Sequence, residues 1–192
     1  MIWTALVPLK QADARKSRLA GRLSPEARKR LSMLLFDHLV DVLRSVPSIG
    51  PILPLAGQAP EGWSGAWIQD EGRGLNAELE AARATLGAGP LLVIHADLPL
   101  IEPADVAALL ASAGASGCAI APDRHGEGTN AVALRDGRAF AFAFGPGSLV
   151  RHCAPLNDPS ALVERTGLAL DCDTPEDLDS AIAAGFVFPD GD

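Results

Sequence analysis

The segment PLLVIHAD, residues 90–97, most constrains what this chain can fold into. Leu91 to Ile94 is an unbroken aliphatic run, and a strand of that kind needs both faces covered. Strands hidden on both faces belong inside mostly parallel sheets with helices on either side. The rest of the chain alternates accordingly. IWTALVPL reads as the first strand and SPEARKRLSMLLFDHLVDVLRSV as a long helix. Ser24 suits the N-cap, Pro25 the first turn, and Glu26 the positive end of the helix dipole. Leu31, Leu34, Leu35, Leu39, Val42, Leu43 and Val46 follow helical spacing, so this face packs on the sheet. PILPLA and GAWIQD read as short strands and GLNAELEAARATL as the next helix. A helix is expected to begin after LIEPADVAALLASAG, with CAIAPD and NAVALR as further strands. LALDCD is expected as a final strand meeting the helix TPEDLDSAIAAG. No repeat, low-complexity tract or long linker divides residues 1–192, which read as one α/β domain.

Charge is distributed unevenly. The formal net charge is −8, yet eight of the 16 Lys and Arg residues fall between Lys10 and Arg30, opposed there only by Asp13 and Glu26. An acidic chain with 5% aromatics and no Tyr lacks the basic face and stacking platform of a nucleic-acid binder. A basic loop directly after a first strand instead suits a small anionic ligand. Lys10, Lys16 and Arg18 are candidates for neutralising a triphosphate there, Arg supplying a planar fork for phosphate oxygens. A solvated basic face leading into a helix is the plainer alternative. Three cysteines without metal-ligand spacing, and no signal peptide before the first strand, lead us to expect reduced thiols in a cytoplasmic protein. No apolar run approaches the ~20 residues of a membrane span.

Ligands of open α/β sheets bind beyond the carboxyl ends of the strands, and three further segments lie there. Asp97 follows the buried strand directly and is followed by Leu-Pro, which leaves its carboxylate at the rim of the sheet. Hard divalent cations such as Mg²⁺ take carboxylate oxygens. Asp171 and Asp173, two apart, point to one side of an extended segment. Asp173 as N-cap, with Glu176 and Asp177 in the first helical turn, accounts for three of these acids but not for Asp171. A second carboxylate facing Asp97 would complete a Mg²⁺ site. His95 is expected to be a packed histidine. PDRHGEGTNA and FGPGSLVRH are Gly-rich and offer Thr129, Gly145 and Ser148 as neutral donors, with a helix beginning at Ser148.

Taken in order, VPLK…ARKSRLAG, GLNAEL, HADLPL, APDRHGEGTNA, FGPGSLVRH and LALDCDTPEDL resemble the guanylyltransferases that make the precursor of the deazaflavin coenzyme F-420. The resemblance runs from about residue 3 to residue 185. It implies a single-domain, Rossmann-like nucleotidyltransferase fold that joins GMP from GTP to a small phosphorylated acid. That acid is 2-phospho-L-lactate, phosphoenolpyruvate or 3-phospho-D-glycerate, and diphosphate is released. Carried over by position, Lys10 and Lys16 match phosphate-binding lysines, and Gly74-Leu75-Asn76 lie by the nucleoside. Asp97 and Asp171 match Mg²⁺ carboxylates, with Asp173 the adjacent candidate. Thr129, Gly145 and Ser148 match the positions that hold the acceptor acid. The resemblance also implies a homodimer.

Two other readings compete. Molybdopterin and sugar-phosphate nucleotidyltransferases usually open on a loop such as GGxGxRMG, whereas VPLKQADARKSRLAG has no glycine before Gly21. A non-catalytic nucleotide-binding module is the second rival; the acids at both metal positions weigh against it.

Overall fold

The computed structural model describes residues 1–9, 16–154, 156 and 158–189. Strand β1 (Trp3–Pro8) leads to helix α1 (Pro25–Ser45), then β2 (Ile49–Ala56), β3 (Ile68–Gln69), α2 (Leu75–Leu86) and β4 (Leu91–Ile94). Helix α3 (Pro103–Ser116), β5 (Cys118–Pro122), β6 (Thr129–Leu134), α4 (Ser148–Cys153), α5 (Thr166–Ala169) and α6 (Pro175–Ala183) come after it. The sheet order is β3-β2-β1-β4-β6-β5.

The alternation of side chains along β1 and β4 divides the core in two. Trp3, Ala5, Val7, Leu92 and Ile94 face α1 and α3, meeting Leu39, Leu43, Val106 and Leu109. Leu6, Leu91 and Val93 face the other way, onto Leu79 and Ala82 of α2 and onto Phe142 and Phe144. Both faces of β4 are therefore covered, as its aliphatic run requires. Helix α1 begins as expected: the Ser24 hydroxyl accepts the Ala27 N–H at 3.1 Å. Of its seven expected inward positions, Leu34 alone is only partly buried.

Pairs β1–β2, β2–β3 and β1–β4 are parallel, whereas β6 runs antiparallel to both β4 and β5. The reason lies in the turn between β5 and β6. It spans only Asp123 to Gly128, far shorter than the crossover that parallel neighbours need. The Asp123 carboxylate holds this turn by accepting the N–H groups of His125, Glu127 and Gly128 at 3.1, 3.0 and 2.8 Å.

Two expected elements are corrected. The helix expected after LIEPADVAALLASAG begins inside that segment instead, because Pro103 opens it and Glu102 with Asp105 forms a capping box. The expected final strand LALDCD is not a strand. Helix α5 takes its first residues, and β4 is already paired on both edges by β1 and β6, so no ladder is open to it. One backbone bond, Cys172 N–H to Asp97 C=O at 2.9 Å, ties the extended remainder to the end of β4.

Candidate active site

Strand order reverses direction between β1 and β4, and Lys16, which follows β1, meets Asp97, which follows β4, at that crevice. After β1 comes the basic loop. Lys10 lies outside the described residues. Lys16 opens a short 3₁₀ turn, Ser17–Leu19, with φ of 53°, a left-handed conformation uncommon for a side chain of this kind. Leu19 and Leu23 pack with Leu31 and Leu35 of α1, Cys172, and Leu178 of α6. That small apolar cluster sets the turn that follows Lys16 beside the 171–173 segment.

The result is an ion cluster. Lys16 Nζ donates to Asp97 Oδ2 at 2.7 Å and to Asp173 Oδ1 at 3.1 Å. Burial works to lower the Lys16 pKa, but the charges of Asp97 and Asp173 outweigh it and hold the ammonium above its ordinary value. Asp171 goes the other way. Burial, and then the negative charges of Asp97 and Asp173, push its carboxyl up to about 6. Asn130 of β6 approaches Asp171 Oδ1 at 3.5 Å while donating to the carbonyls of Leu168 and Ala169.

Among the described residues Lys16 thus pairs with Asp97 and Asp173, and Asp171 stands close enough to feel both of their charges. Carboxylate oxygens are the donors that a hard divalent cation takes. Among the described residues no group of three or more Asp, Glu, His or Cys side chains is gathered around a single point as metal ligands. Asp97 and Asp173 converge on Lys16 instead. Asp173 is not the N-cap of α6: Thr174 is, its hydroxyl accepting the Asp177 N–H at 3.2 Å. Capping by Thr174 leaves the Asp173 carboxylate to face Lys16. Asp177 in turn accepts the N–H groups of Asp173 and Thr174 and pairs with Arg124, so it holds the acidic segment in place.

The remaining candidates divide into exposed and engaged groups. Arg18 is exposed on the 3₁₀ turn. Gly74, with φ of 92°, is the N-cap of α2, a left-handed position that favours glycine. Asn76 uses both ends of its carboxamide on one residue: Nδ2 donates to Phe144 O at 3.1 Å, and Oδ1 accepts the Phe144 N–H at 2.8 Å. It therefore anchors the segment before Gly145. Gly145 is exposed, and its carbonyl accepts the N–H of Ser148, which opens α4 and is buried. Thr129 is buried beside His152, whose Nδ1 lies 3.0 Å from its hydroxyl. His95 packs as expected, its ring centre 5.1 Å from that of Phe144.

Sequence reasoning missed Glu78, Asn130 and His152. Glu78 is buried, and its carboxylate gathers the N–H groups of Glu71 and Arg73 together with the Arg73 guanidinium. Those contacts, the Arg73 side chain first, hold its carboxyl down at about 2. A glutamate on a helix carries no mark of such a duty, and neither does Asn130 within a strand. His152 ends the motif FGPGSLVRH, but only the fold brings it to Thr129. A separate hollow of about 730 Å³, bordered by His38, Glu102, Asp105, Arg165 and Phe186, includes none of the ion-cluster residues.

No helix among the described residues is long and apolar enough to cross a membrane. The three cysteines are free thiols. The family described as Guanylyl transferase CofC like matches residues 3–186. A phosphoenolpyruvate guanylyltransferase of Rubrobacter xylanophilus is 42% identical over 195 residues, covering 95% of each chain. Among solved structures, a 2-C-methyl-D-erythritol 4-phosphate cytidylyltransferase of Thermus thermophilus shares the fold with a TM-score of 0.60. It is 18% identical, over 97% of this chain and 100% of that one. A Mycobacterium tuberculosis H37Rv protein solved with manganese shares it at a TM-score of 0.53 and 18% identity, over 95% and 98% of the two chains. By both the extent of the family match and the level of identity, the chain belongs to the CofC-like guanylyl transferase family.

Proposed function

We propose that this guanylyltransferase transfers GMP from GTP to phosphoenolpyruvate, with Mg²⁺, as a step toward coenzyme F-420. The observation carrying the choice of acceptor is the 42% identity, over 95% of both chains, to a phosphoenolpyruvate guanylyltransferase. 2-Phospho-L-lactate and 3-phospho-D-glycerate are the competing acceptors. In the reaction, a phosphate oxygen of the acceptor attacks the α-phosphorus of GTP. The bond from that phosphorus to the β-phosphate bridging oxygen breaks, and diphosphate leaves with the electron pair. A phosphate monoester is already a competent nucleophile at neutral pH, so a Ser–His or Cys–His pair is not required.

Catalysis in this reading is positioning and charge neutralisation. Lys16 supplies an ammonium at the crevice, and Lys10 and Arg18 add charge for the triphosphate. Asp97 and Asp171, with Asp173 beside them, would hold the metal ion, which when bound offsets charge developing on the phosphoryl oxygens. Gly74 and Asn76 border the nucleoside, the latter through the Phe144 segment it anchors. Thr129, Gly145 and Ser148 hold the acceptor. All 192 residues act as one domain, and the protein is cytoplasmic and homodimeric, working on small molecules only.

Diphosphate release over a grid of four nucleoside triphosphates against the three acids tests this. GTP with phosphoenolpyruvate is the expected best pair. A preference for CTP would move the protein toward the sugar-phosphate nucleotidyltransferases, and GTP binding without release would leave a non-catalytic module.

A further inference from the structure

His152 is fully buried, and the reaction as proposed gives it no part. Its ring stacks on Phe140 at 5.4 Å and meets Phe144 edge-on at 4.9 Å, so its orientation is fixed. The Ala143 N–H donates to Nε2 at 2.9 Å. A nitrogen accepting that bond carries no proton, so in the neutral ring the proton sits on Nδ1. Burial first, then the charges of Arg151 and His95, lower the His152 pKa to about 4, which keeps the ring neutral. Nδ1–H therefore donates to Thr129 Oγ1 at 3.0 Å.

That direction settles the polarity of Thr129. Its oxygen is occupied as an acceptor, so its own O–H must donate elsewhere, and among the described residues it has no acceptor. The hydroxyl is nonetheless buried, and a buried donor left without a partner is destabilising. An anionic oxygen would satisfy it.

We propose that His152 is a positioning residue that fixes the Thr129 hydroxyl as a donor toward an acidic oxygen of the acceptor. It also docks the segment leading to Gly145 through Ala143. This rests on the reading of Thr129 and Gly145 as acceptor-holding residues. Two contacts reach the same place from other elements: Leu149 N–H donates to Glu127 O at 3.1 Å, and Asn76 grips Phe144. Histidine is suited here because it offers an acceptor and a donor at opposite ends of one rigid ring.

The test has two arms. Nitrogen-15 long-range correlation spectra of the unliganded wild-type protein read the tautomer without any turnover. A proton on Nδ1 is expected; a proton on Nε2 overturns the proposal. In the kinetic arm, His152→Gln keeps a group near the Nε2 position and loses the donor to Thr129. His152→Asn keeps a donor near the Nδ1 position. His152→Gln should raise the phosphoenolpyruvate KM about tenfold, with the GTP KM within about twofold, by the size of one hydrogen bond to a charged group. His152→Asn should recover most of that loss. Adding Thr129→Val to His152→Gln should raise the KM no further. Equal losses for both substrates, or additive losses in the double variant, would make His152 merely structural and overturn the proposal. Should the wild-type protein use none of the three acids, the acceptor reading falls, and the spectra alone still decide the polarity of Thr129.

Discussion

Lys16 has two carboxylates within 3.1 Å and a left-handed backbone, so its ammonium is held where the ends of β1 and β4 meet. Charge at that point decides two predictions. Asp97→Asn and Asp171→Asn preserve shape while removing one negative charge each. Turnover should fall by orders of magnitude, since such electrostatic contributions reach several kcal/mol and each ~1.4 kcal/mol is tenfold in rate. Added Mg²⁺ should restore part of the loss, and diphosphate release over a metal titration measures it. Lys16→Met should lower kcat/KM for GTP by about tenfold to a hundredfold, the range for one charge-assisted hydrogen bond. Lys16→Arg should rescue little, because a planar fork does not replace a compact ammonium between two acids. The control for these is Asp179→Asn, at an exposed carboxylate paired with Arg22. Asp177 would be a poor control: with two backbone N–H groups and Arg124 on its carboxylate, its loss would disturb Asp173 as well.

Among the elements, α2 holds the segment before α4 through Asn76, whose carboxamide bonds both backbone groups of Phe144. Asn76→Ala removes both bonds and leaves that backbone to find other partners. We expect a loss of about 1–3 kcal/mol in urea unfolding and a raised KM for the acceptor acid. An unchanged urea midpoint would mean the segment holds without it. Legibility in the sequence also varies by element. β1, β4 and α1 are readable because aliphatic runs, helical spacing and a Ser-Pro-Glu start leave little choice. LALDCD reads as a strand for the same reason, but its place depends on whether β4 has a free edge, and composition does not record that. The antiparallel β6 depends on the length of a turn. Asp173 reads as a cap because Asp caps well, whereas Thr174 next to it takes that place with Asp177 as its partner. Asp97 and Lys16 each stand out in the sequence as candidates, one at the end of a buried strand and the other in a basic loop. Their direct contact is not, since it needs the apolar cluster of Leu19, Leu23, Cys172 and Leu178 to bring distant segments together.

For the whole molecule, the buried His152 links folding to pH. Its folded pKa, about 4, lies below the ordinary value of 6.5, so the folded protein resists taking up a proton that the unfolded chain accepts. Its contribution is therefore complete above about pH 6.5 and is lost as pH falls toward 4, by up to about 1.4 kcal/mol per pH unit. A His152→Asn variant lacks this loss. The stability gap between it and the wild-type protein should narrow as pH drops from about 7 to about 4.5 in urea unfolding. A constant gap would mean His152 titrates normally in the folded state.

The fate of the α-phosphorus of GTP decides whether this molecule is the transferase described. GTP labelled at the α-phosphate, incubated with phosphoenolpyruvate, Mg²⁺ and the protein, follows it directly by phosphorus NMR and mass spectrometry. Label is expected in a diphosphate linkage joining guanosine to the acid, with one diphosphate released per product. Label recovered only as GMP, or retained in unreacted GTP with all three acids, would refute guanylyl transfer to a phospho-acid.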